Sequence, residues 1–349
     1  MTPSPLAAAL GARMHAEMAQ QPAVLAGLVH RWPELTAQVA ALTEGAAPFG
    51  VAFLARGSSD HAALLGRYAV ELYTGLPTCL VAPSLTTAYR REPKGFANWL
   101  LVALSQSGRT PEIVDLARRY AAAGARVIAV TNDAGSDLAA AAHLSIALEA
   151  GPELAVPATK TVTAQLLAVL AIASGLPGSG LTQSQLLGLP AAVAQVLDDP
   201  EPARHAAPLL AAADRLAVVG RGACYPAALE GALKLQETTG LMAHGFSTAD
   251  FRHGPIADCG PAAPALLLAG SGPADPDTVA VGDALRDRGA PVLVAGTAPG
   301  ADLPWPATGT LAECVPAVVR AQQLALATAR RLGLDPDRPR GLNKVTMTA

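Results

Sequence analysis

A polar turn between an apolar run and a helical pattern is the feature that most constrains the fold of this 349-residue chain. Residues 99–104 form a continuous apolar run typical of a buried strand, and residues 111–117 predict the start of a helix. The turn at 105–110 reads Ser-Gln-Ser-Gly-Arg-Thr. Backbone N–H groups at such a turn, with the positive end of the helix dipole, favour an anion such as phosphate. Because the Gly-Lys-Ser/Thr ending of nucleotide phosphate loops is absent there, the turn favours a phosphorylated small molecule over ATP.

Strand and helix patterns alternate along the chain and predict an α/β fold. Apolar strand patterns at 51–55, 100–104, 127–131 and 144–148 are separated by helix patterns, which is typical of a parallel sheet with helices on both faces. The arrangement recurs later in the chain, where "FLARGSSDHAALLGRYAVE" aligns with "VVGRGACYPAALEGALKLQE". We infer an internal duplication and therefore two similar domains.

These patterns divide the chain into five predicted segments. They are N-terminal helices (1–45), a first α/β domain (46–175), a linker with a helix (176–205), a second α/β domain (206–334) and a C-terminal tail closing over the site (335–349). Ligands of parallel sheets bind at the carboxyl ends of strands, where the strand order reverses. The turns Gly57-Ser58-Ser59 and 105–110 would both lie at such ends.

Composition and charge argue against several classes of partner. The formal net charge is −3 and no basic run occurs, which argues against nucleic acid. No uninterrupted apolar stretch has membrane-spanning length, and the N-terminus has no signal-peptide pattern. The four cysteines are far apart, so neither a zinc site nor a disulfide framework is indicated, and we expect a reducing, cytoplasmic setting.

Titratable residues in the second half could carry acid–base chemistry. Glu230, Lys234 and Glu237 lie at i, i+4 and i+7, which places them on one helix face as either a catalytic group or a solvated stripe. His253, beside a Gly-Pro turn, could act as an acid or base or be structural, and Lys344 could act on a carbonyl or be a solvated tail residue. The serines of both turns could equally cap helices. Because neither a metal-ligand cluster nor a dinucleotide fingerprint occurs, we expect no cofactor and no metal.

Seven segments together resemble the sugar isomerase (SIS) family, most closely the isomerase half of glucosamine-6-phosphate synthases. They occur in order along nearly the whole chain and read EMAQQP (17–22), GSSDHA (57–62), SQSGRTPE (105–112), GPELAVPATKTVTAQL (151–166), GRGACYPAALEGALKLQE (220–237), DFRHGPIA (250–257) and DPDRPRGLNKVTMT (335–348). The resemblance implies two tandem SIS domains, each with a flavodoxin-like sheet. It also implies a homodimer whose sites use residues of both subunits.

The resemblance further implies roles for individual residues. It assigns proton transfer between C1 and C2 to Glu237 beside Lys234, ring opening to His253 donated to the neighbouring subunit's site, and carbonyl chemistry to Lys344. Contacts to the phosphate and the sugar are assigned to Ser58, Ser59, Ser105, Gln106, Ser107, Thr110, Val156, Glu230 and Asn343. Further candidate ligands are Arg109, Thr159 and Lys160.

One difference from the synthases determines which reaction we expect. The synthases begin with a glutamine-hydrolysing domain, whereas the first SIS domain begins here near residue 46, so we expect no ammonia supply from glutamine in the same chain. The chain then resembles stand-alone deaminases that convert glucosamine 6-phosphate to fructose 6-phosphate and ammonia. Two alternatives stay open. One is a related phosphosugar enzyme, either a galactosamine-6-phosphate deaminase/isomerase or a fructose-amine 6-phosphate deglycase, and the other is a non-catalytic sugar-phosphate sensor.

Overall fold

The chain forms two compact units, each built around one five-stranded parallel sheet. The computed structural model describes residues 10–309 and 311–344. We call the unit with residues 24–152 and 161–187 the first unit. The described residues of the second unit are 10–23, 153–160, 188–309 and 311–344. The linear domain limits stated above remain predictions.

The first unit contains the strand–helix alternation that the sequence predicts. Among the residues described from Leu10 onwards, three helices precede the sheet. They are α1 (Ala12–Ala19), which belongs to the second unit, α2 (Gln21–His30) and α3 (Trp32–Thr43). The elements that follow are β1 (Gly50–Leu54), α4 (Ser58–Thr74), β2 (Thr78–Leu80), α5 (Ser84–Thr87), β3 (Trp99–Leu104), α6 (Pro111–Ala122), β4 (Arg126–Thr131), α7 (Asp137–Ala140), β5 (Leu144–Ala147), α8 (Lys160–Gly175) and a 3-10 turn (Gln183–Leu186). The strand order is β2-β1-β3-β4-β5, all parallel, which is the flavodoxin-like order.

Helices cover both faces of the first sheet. Leu101 and Ala103 of β3 pack in one apolar cluster with Ile113 of α6. On the other face, the ring of Phe53 lies against Gly66 of α4. Successive side chains of a strand point to opposite faces, so a strand buried on both sides is apolar throughout. This explains why β3 appears in the sequence as an unbroken apolar run.

The second unit repeats the same sheet topology. Its elements are α9 (Leu189–Asp198), α10 (Glu201–Ala211), β6 (Arg215–Gly220), α11 (Cys224–Thr239), β7 (Met242–Ser247), α12 (Thr248–Arg252), a 3-10 turn (Pro255–Asp258), β8 (Ala265–Ala269), α13 (Asp275–Arg286), β9 (Val292–Gly296), β10 (Leu303–Pro304), a 3-10 turn (Leu311–Glu313) and α14 (Cys314–Arg331). The strand order is β10-β9-β8-β6-β7, again all parallel. The predicted α/β fold with two flavodoxin-like sheets is therefore confirmed.

The sequence patterns did not predict several elements of the second unit, among them β7, α10 and α13. The sequence of β7 is Met-Ala-His-Gly-Phe-Ser, and this strand lies at the edge of the sheet, where few of its side chains need to be apolar. Helix α13 buries Asp275, Thr278 and Gly282 among its inward residues, so its apolar period is weak. Tertiary contacts rather than local pattern stabilise these elements.

Candidate functional site

The turn after β3 is organised by its own hydroxyl groups and by one glycine. The N–H of Gly108 donates to Ser105 Oγ at 3.2 Å, and Ser105 Oγ lies 3.4 Å from Thr110 Oγ1. Gly108 has a φ of +62°, and a Cβ at this position would overlap Ser136 Oγ. The bend therefore requires glycine both for its backbone angle and for space.

Several donors of this turn have no acceptor among the residues that the structure describes. Ser107 Oγ accepts the N–H of Arg109 at 3.2 Å. No hydrogen bond within residues 10–309 and 311–344 uses the backbone N–H of Gln106, Ser107 or Thr110. Thr110 is the N-cap residue of α6, but its side chain makes no capping hydrogen bond, contrary to the capping alternative. The turn thus presents N–H and hydroxyl donors at a helix start, an arrangement suited to an anion.

Arg56 connects the turn after β1 to the start of α6. Its Nε and Nη2 donate to the two carboxylate oxygens of Glu112 at 3.0 and 3.1 Å. Glu112 is buried in the first turn of α6, where the helix dipole favours a negative charge. Ser58 is half-buried and Ser59 is buried at the start of α4. Since β1 and β3 are neighbours where the strand order reverses, both predicted ligand turns lie at the expected point of the sheet.

In the second unit, α11 carries a buried row of charges rather than a solvated stripe. The Lys234 side chain is 0% exposed and lies between Glu230 at 1% and Glu237 at 19%. Its Nζ is 3.3 Å from Glu230 Oε1 and 2.5 Å from Glu237 Oε2. Burial by itself lowers the pKa of Lys234, but the two carboxylates outweigh burial and the pKa is raised. Lys234 therefore stays protonated, and Glu237 is the member of the row that keeps access to solvent.

His253 lies apart from this row, at the C-terminal end of α12. Its backbone N–H donates to the carbonyl of Asp250 at 3.0 Å, and the residue is exposed. Gly254, with a φ of +153°, follows it in the turn that leads to Pro255. In the part of the chain that the structure describes, no hydrogen bond or ion pair joins His253 to Glu237. A single chain therefore presents His253 to solvent.

Lys344 pairs with a buried carboxylate of the same unit. Its Nζ lies 2.8 Å from Glu153 Oε2, and the Glu153 side chain is fully buried. The other oxygen, Glu153 Oε1, accepts the N–H of Thr159 at 2.9 Å. The preceding Asn343 is exposed. The described end of the tail is thus bound to the loop that begins at Glu153, whereas residues 345–349 of the predicted tail lie outside the described residues.

The loop 153–160, which contains the half-buried Val156, is anchored to the N-terminal region of the second unit. Glu17 of α1 accepts the N–H groups of Leu154 and Ala155, the latter at 3.2 Å from Oε2. At the other end of the loop, Lys160 Nζ donates to Gln20 Oε1 at 2.6 Å. Charged groups therefore set the position of this loop and, through Glu153, that of Lys344.

The chain's own carboxylates occupy the corresponding turn of the second sheet. Glu313 Oε2 accepts the N–H of Ser271, just after β8, at 2.6 Å, and Glu313 Oε1 accepts the Ser271 hydroxyl. Asp275 Oδ2 accepts the N–H of Gly272 at 2.7 Å. The donors after β8 are thus bound by carboxylates, unlike those after β3. Burial raises the pKa of both carboxyl groups.

The sequence did not reveal four charged residues, three carboxylates and one arginine, that anchor these turns and loops. These are Glu17, Arg56, Glu112 and Glu153. The three carboxylates lie inside the quoted family segments, so those segments could have pointed to them. The residue with which each carboxylate pairs, however, lies outside its own segment. Local spacing therefore does not identify these pairs.

Three further findings concern the described residues alone. No three His, Cys, Asp or Glu side chains among them are grouped closely enough to hold a metal ion. No helix among them combines the length and apolarity needed to cross a membrane. The four cysteines are free thiols.

Comparison with known proteins identifies relatives along most of the chain. Glutamine–fructose-6-phosphate aminotransferase [isomerizing] from Symbiobacterium thermophilum is 35% identical over 314 residues, which cover 84% of this chain and 51% of that protein. The protein of the same name from Methanothermobacter thermautotrophicus is 28% identical over 338 residues, covering 94% of this chain and 56% of that protein. The chain thus spans about half the length of these curated relatives.

A solved structure and a domain family agree with this comparison. The crystal structure of a protein from Silicibacter pomeroyi DSS-3, described as a candidate phosphosugar isomerase, has a TM-score of 0.83 and 30% identity, covering 93% of this chain and 99% of that one. The SIS domain family matches residues 50–175 and 209–300, more than half of the chain. These two segments contain the strands β1–β5 and β6–β9. The chain therefore belongs to the SIS domain family.

Proposed function

We propose that this chain is a phosphosugar isomerase that also deaminates its substrate, converting glucosamine 6-phosphate and water into fructose 6-phosphate and ammonia. The observation that carries this proposal is the row on α11, in which a buried lysine lies between two carboxylates and Glu237 keeps access to solvent. A carboxylate held in this way can take a proton from one carbon and return it to the next. The names of the relatives, which contain fructose 6-phosphate and an isomerising step, support the substrate class.

The proposed reaction starts with ring opening, in which His253 protonates the ring oxygen while a water molecule takes the proton of the C1 hydroxyl and returns a proton to His253. Glu237 removes the proton from C2 and returns it to C1. As C2 loses its proton, O1 gains one, for which Lys344 is the proposed donor. When C1 takes up the returned proton, the nitrogen lone pair forms a C2 iminium ion. Water adds to C2, the C–N bond breaks and ammonia leaves with a proton, so that C2 becomes a ketone. No oxidant is needed because C1 is reduced as C2 is oxidised.

The turn after β3 is the proposed phosphate-binding element. Ser105, Ser107 and Thr110 contribute hydroxyl groups there, and the unused N–H groups add donors at the positive end of α6. The remaining sugar contacts stay predictions from the resemblance and comprise Ser58, Ser59, Gln106, Val156, Glu230 and Asn343. The second sheet is not assigned a phosphate, because Glu313 and Asp275 already accept hydrogen bonds from its turn.

The direct test measures ammonia and fructose 6-phosphate released from glucosamine 6-phosphate by the full chain. Galactosamine 6-phosphate and a fructose-amine 6-phosphate are assayed in parallel. Release of both products from the gluco sugar supports the proposal. Turnover of the galacto sugar alone would move the assignment to the C4 epimer, and turnover of the fructose-amine alone would indicate a deglycase. Thermal protection by all three without turnover would instead indicate a sensor.

Glu237→Gln tests the proposed proton transfer. An amide cannot accept the C2 proton, so we expect kcat to fall by about 10²–10⁴-fold, with a smaller change in the affinity for fructose 6-phosphate. Loss of deuterium from C2-labelled substrate to solvent should slow in parallel. The matched control is Glu44→Gln, at an exposed position outside the α11 row, which should keep normal turnover. Normal turnover by Glu237→Gln would make the assignment of this residue wrong.

A further inference from the structure

A cavity of about 860 Å³ lies within the second unit, between α1, α9, α10 and α14. Its volume is within the range of small-molecule sites, about 300–1,000 Å³. None of the residues assigned to the proposed reaction lines it. The cavity is therefore a separate feature of the second unit that the proposed activity does not use.

One part of the cavity wall is apolar. Met18 of α1 and Leu326 of α14 are buried residues that face it, and Leu197 and Ala207 extend the same surface. An apolar wall of this kind favours a ligand with an aliphatic or aromatic body, since burying such a body removes apolar surface from water.

The other part of the wall is cationic. Arg204, Arg330 and Arg331 line it together with His15, whereas Asp198 is the acidic lining residue. Arg330 Nε donates to the carbonyl of Leu10 at 2.9 Å. Arg204 is paired with Glu201 in the first turn of α10, whereas neither Arg330 nor Arg331 forms an ion pair within the described ranges 10–309 and 311–344. Positive charge therefore exceeds negative charge at this end of the cavity.

The titration of these groups agrees with an excess of positive over negative charge. Burial lowers the pKa of Arg330, and the neighbouring charge of Arg204 lowers it further, against a smaller opposite effect of Asp337. Burial also lowers the pKa of His15, as do the charges of Arg330 and Arg204. An anion bound here would relieve this repulsion between like charges.

We propose that the cavity binds a small organic anion in which a carboxylate or phosphate group is joined to an aliphatic or aromatic body. The anionic group pairs with Arg204 and Arg330, and the body lies against Met18 and Leu326. Inorganic phosphate lacks the apolar body and sugar phosphates are polar throughout, so neither matches both parts of the wall. The proposal is independent of the proposed deaminase reaction.

The test uses the fluorescent probe 1-anilinonaphthalene-8-sulfonate, an anion with an aromatic body, titrated onto the full-length folded protein. We expect saturable binding that octanoate reverses and that octylammonium, which has the same chain length and the opposite charge, does not. Arg204→Gln should weaken probe binding by about fivefold or more, since a charged hydrogen-bond partner is lost. Ala327→Phe should abolish binding by filling the cavity, and the exposed Arg288→Gln is the matched control that should leave it unchanged.

Several results would overturn the proposal. These are an absence of saturable binding, equal displacement by octanoate and octylammonium, or displacement by fructose 6-phosphate, which would place the probe in the phosphosugar site. Unchanged binding by both Arg204→Gln and Ala327→Phe would also contradict it. If Ala327→Phe fails to fold, probe binding by Arg204→Gln and competition by octanoate and octylammonium still test the proposal. If light scattering showed that Ala327→Phe dissolves a dimer formed by the wild type, a second copy of the chain would cover this face and the proposal would be wrong.

Discussion

At the scale of single residues, Lys234 controls the electrostatics of α11. Its amine is fully buried and lies close to two carboxylates, of which Glu230 is also fully buried. Taking charges out of water is costly, so removing the central cation costs more than removing an exposed one. The same ion pairs hold Glu237 at the solvent-accessible end of the row, which connects the stability of the helix to its proposed chemistry.

Lys234→Met should destabilise the protein strongly. Loss of the cation leaves the carboxyl groups of a buried row without their compensating charge, so we expect the free energy of unfolding to fall by about 3–5 kcal/mol. Urea denaturation measures the difference. The exposed Lys94→Met serves as control and should change stability by about 0.5 kcal/mol or less. The double variant Lys234→Met with Glu230→Gln should regain part of the loss, and a Lys234→Met protein as stable as the control would contradict the argument.

Glu17 gives the stability a defined pH dependence. Burial raises its pKa above the usual 4.5, the N–H groups of Leu154 and Ala155 oppose the shift, and the charge of Glu153 adds to it. A carboxyl group with a raised folded pKa contributes stability that is fully present below about pH 4.5 and is lost as pH rises through the folded pKa. The stability of the wild type relative to Glu17→Gln should therefore fall as pH rises from about 4.5. Once the pH is above the folded pKa of Glu17, the difference should stay constant.

Chemical denaturation of wild type and Glu17→Gln across this pH range tests the expectation. The other titrating groups are common to both proteins, so most of their effect cancels in the difference. A wild type that gained stability relative to Glu17→Gln as pH rose would show that the hydrogen bonds to the loop, rather than burial, dominate the pKa of Glu17.

At the scale of elements, the strand–turn–helix segments that begin with β3 and β8 have the same position in their sheets, but their turns differ in chemistry. The turn after β3 has unused N–H donors, whereas Glu313 and Asp275 accept from the turn after β8. Gly270 permits this arrangement, because a Cβ there would overlap the Glu313 carboxylate. The second turn thus carries its anion within the chain, which is why our proposal assigns the phosphate to the first turn.

Gly108→Ala should destabilise the turn after β3 more than a positive φ alone explains. Gly75 is the matched control, since its φ of +71° is similar to the +62° of Gly108 but its added Cβ meets nothing within 4 Å. Gly75→Ala should cost about 1 kcal/mol for its backbone conformation. Gly108→Ala should cost about 1–3 kcal/mol more, because its Cβ overlaps Ser136 and Thr131. Thermal unfolding compares the two, and equal costs would show that the turn adapts without strain.

At the scale of the whole molecule, the exposure of His253 bears on the predicted homodimer. No hydrogen bond or ion pair within one chain's described residues joins His253 to Glu237, and the histidine lies on a surface turn. The resemblance implies that this residue serves the neighbouring subunit's site. We therefore propose, in addition to the reaction, a homodimer in which each subunit donates His253 to the site of the other.

Mixing two inactive variants tests the shared site. His253→Ala and Glu237→Gln should each abolish most activity as pure proteins. After unfolding and refolding together, random pairing makes half of the dimers mixed, and each mixed dimer has one intact site, so about one quarter of wild-type activity should return. If the mixture stayed inactive while an affinity tag on one variant co-purified the untagged other variant, His253 would act within its own chain. A pure monomer with full activity would contradict the dimer itself.

Much of the fold could be predicted because its determinants are local. The apolar runs at β1, β3 and β4 and the glycine-rich turns after them are visible without any partner strand. Strand β7 and helix α13 could not be predicted, because their polar inward residues are stabilised by neighbouring elements. The spacing of Glu230, Lys234 and Glu237 placed them on one helix face, but it left both a catalytic group and a solvated stripe open.

The sequence by itself determined the alternation of strands and helices, the two polar turns of the first sheet and the membership of the SIS domain family, since periodicity, turn residues and ordered motifs are properties of the chain alone. Only the tertiary structure decided that Lys234 is buried between two carboxylates, that Lys344 pairs with Glu153 and that Glu313 occupies the second turn. Burial, and contacts between residues far apart in the chain, depend on how the elements pack, and local spacing does not encode packing.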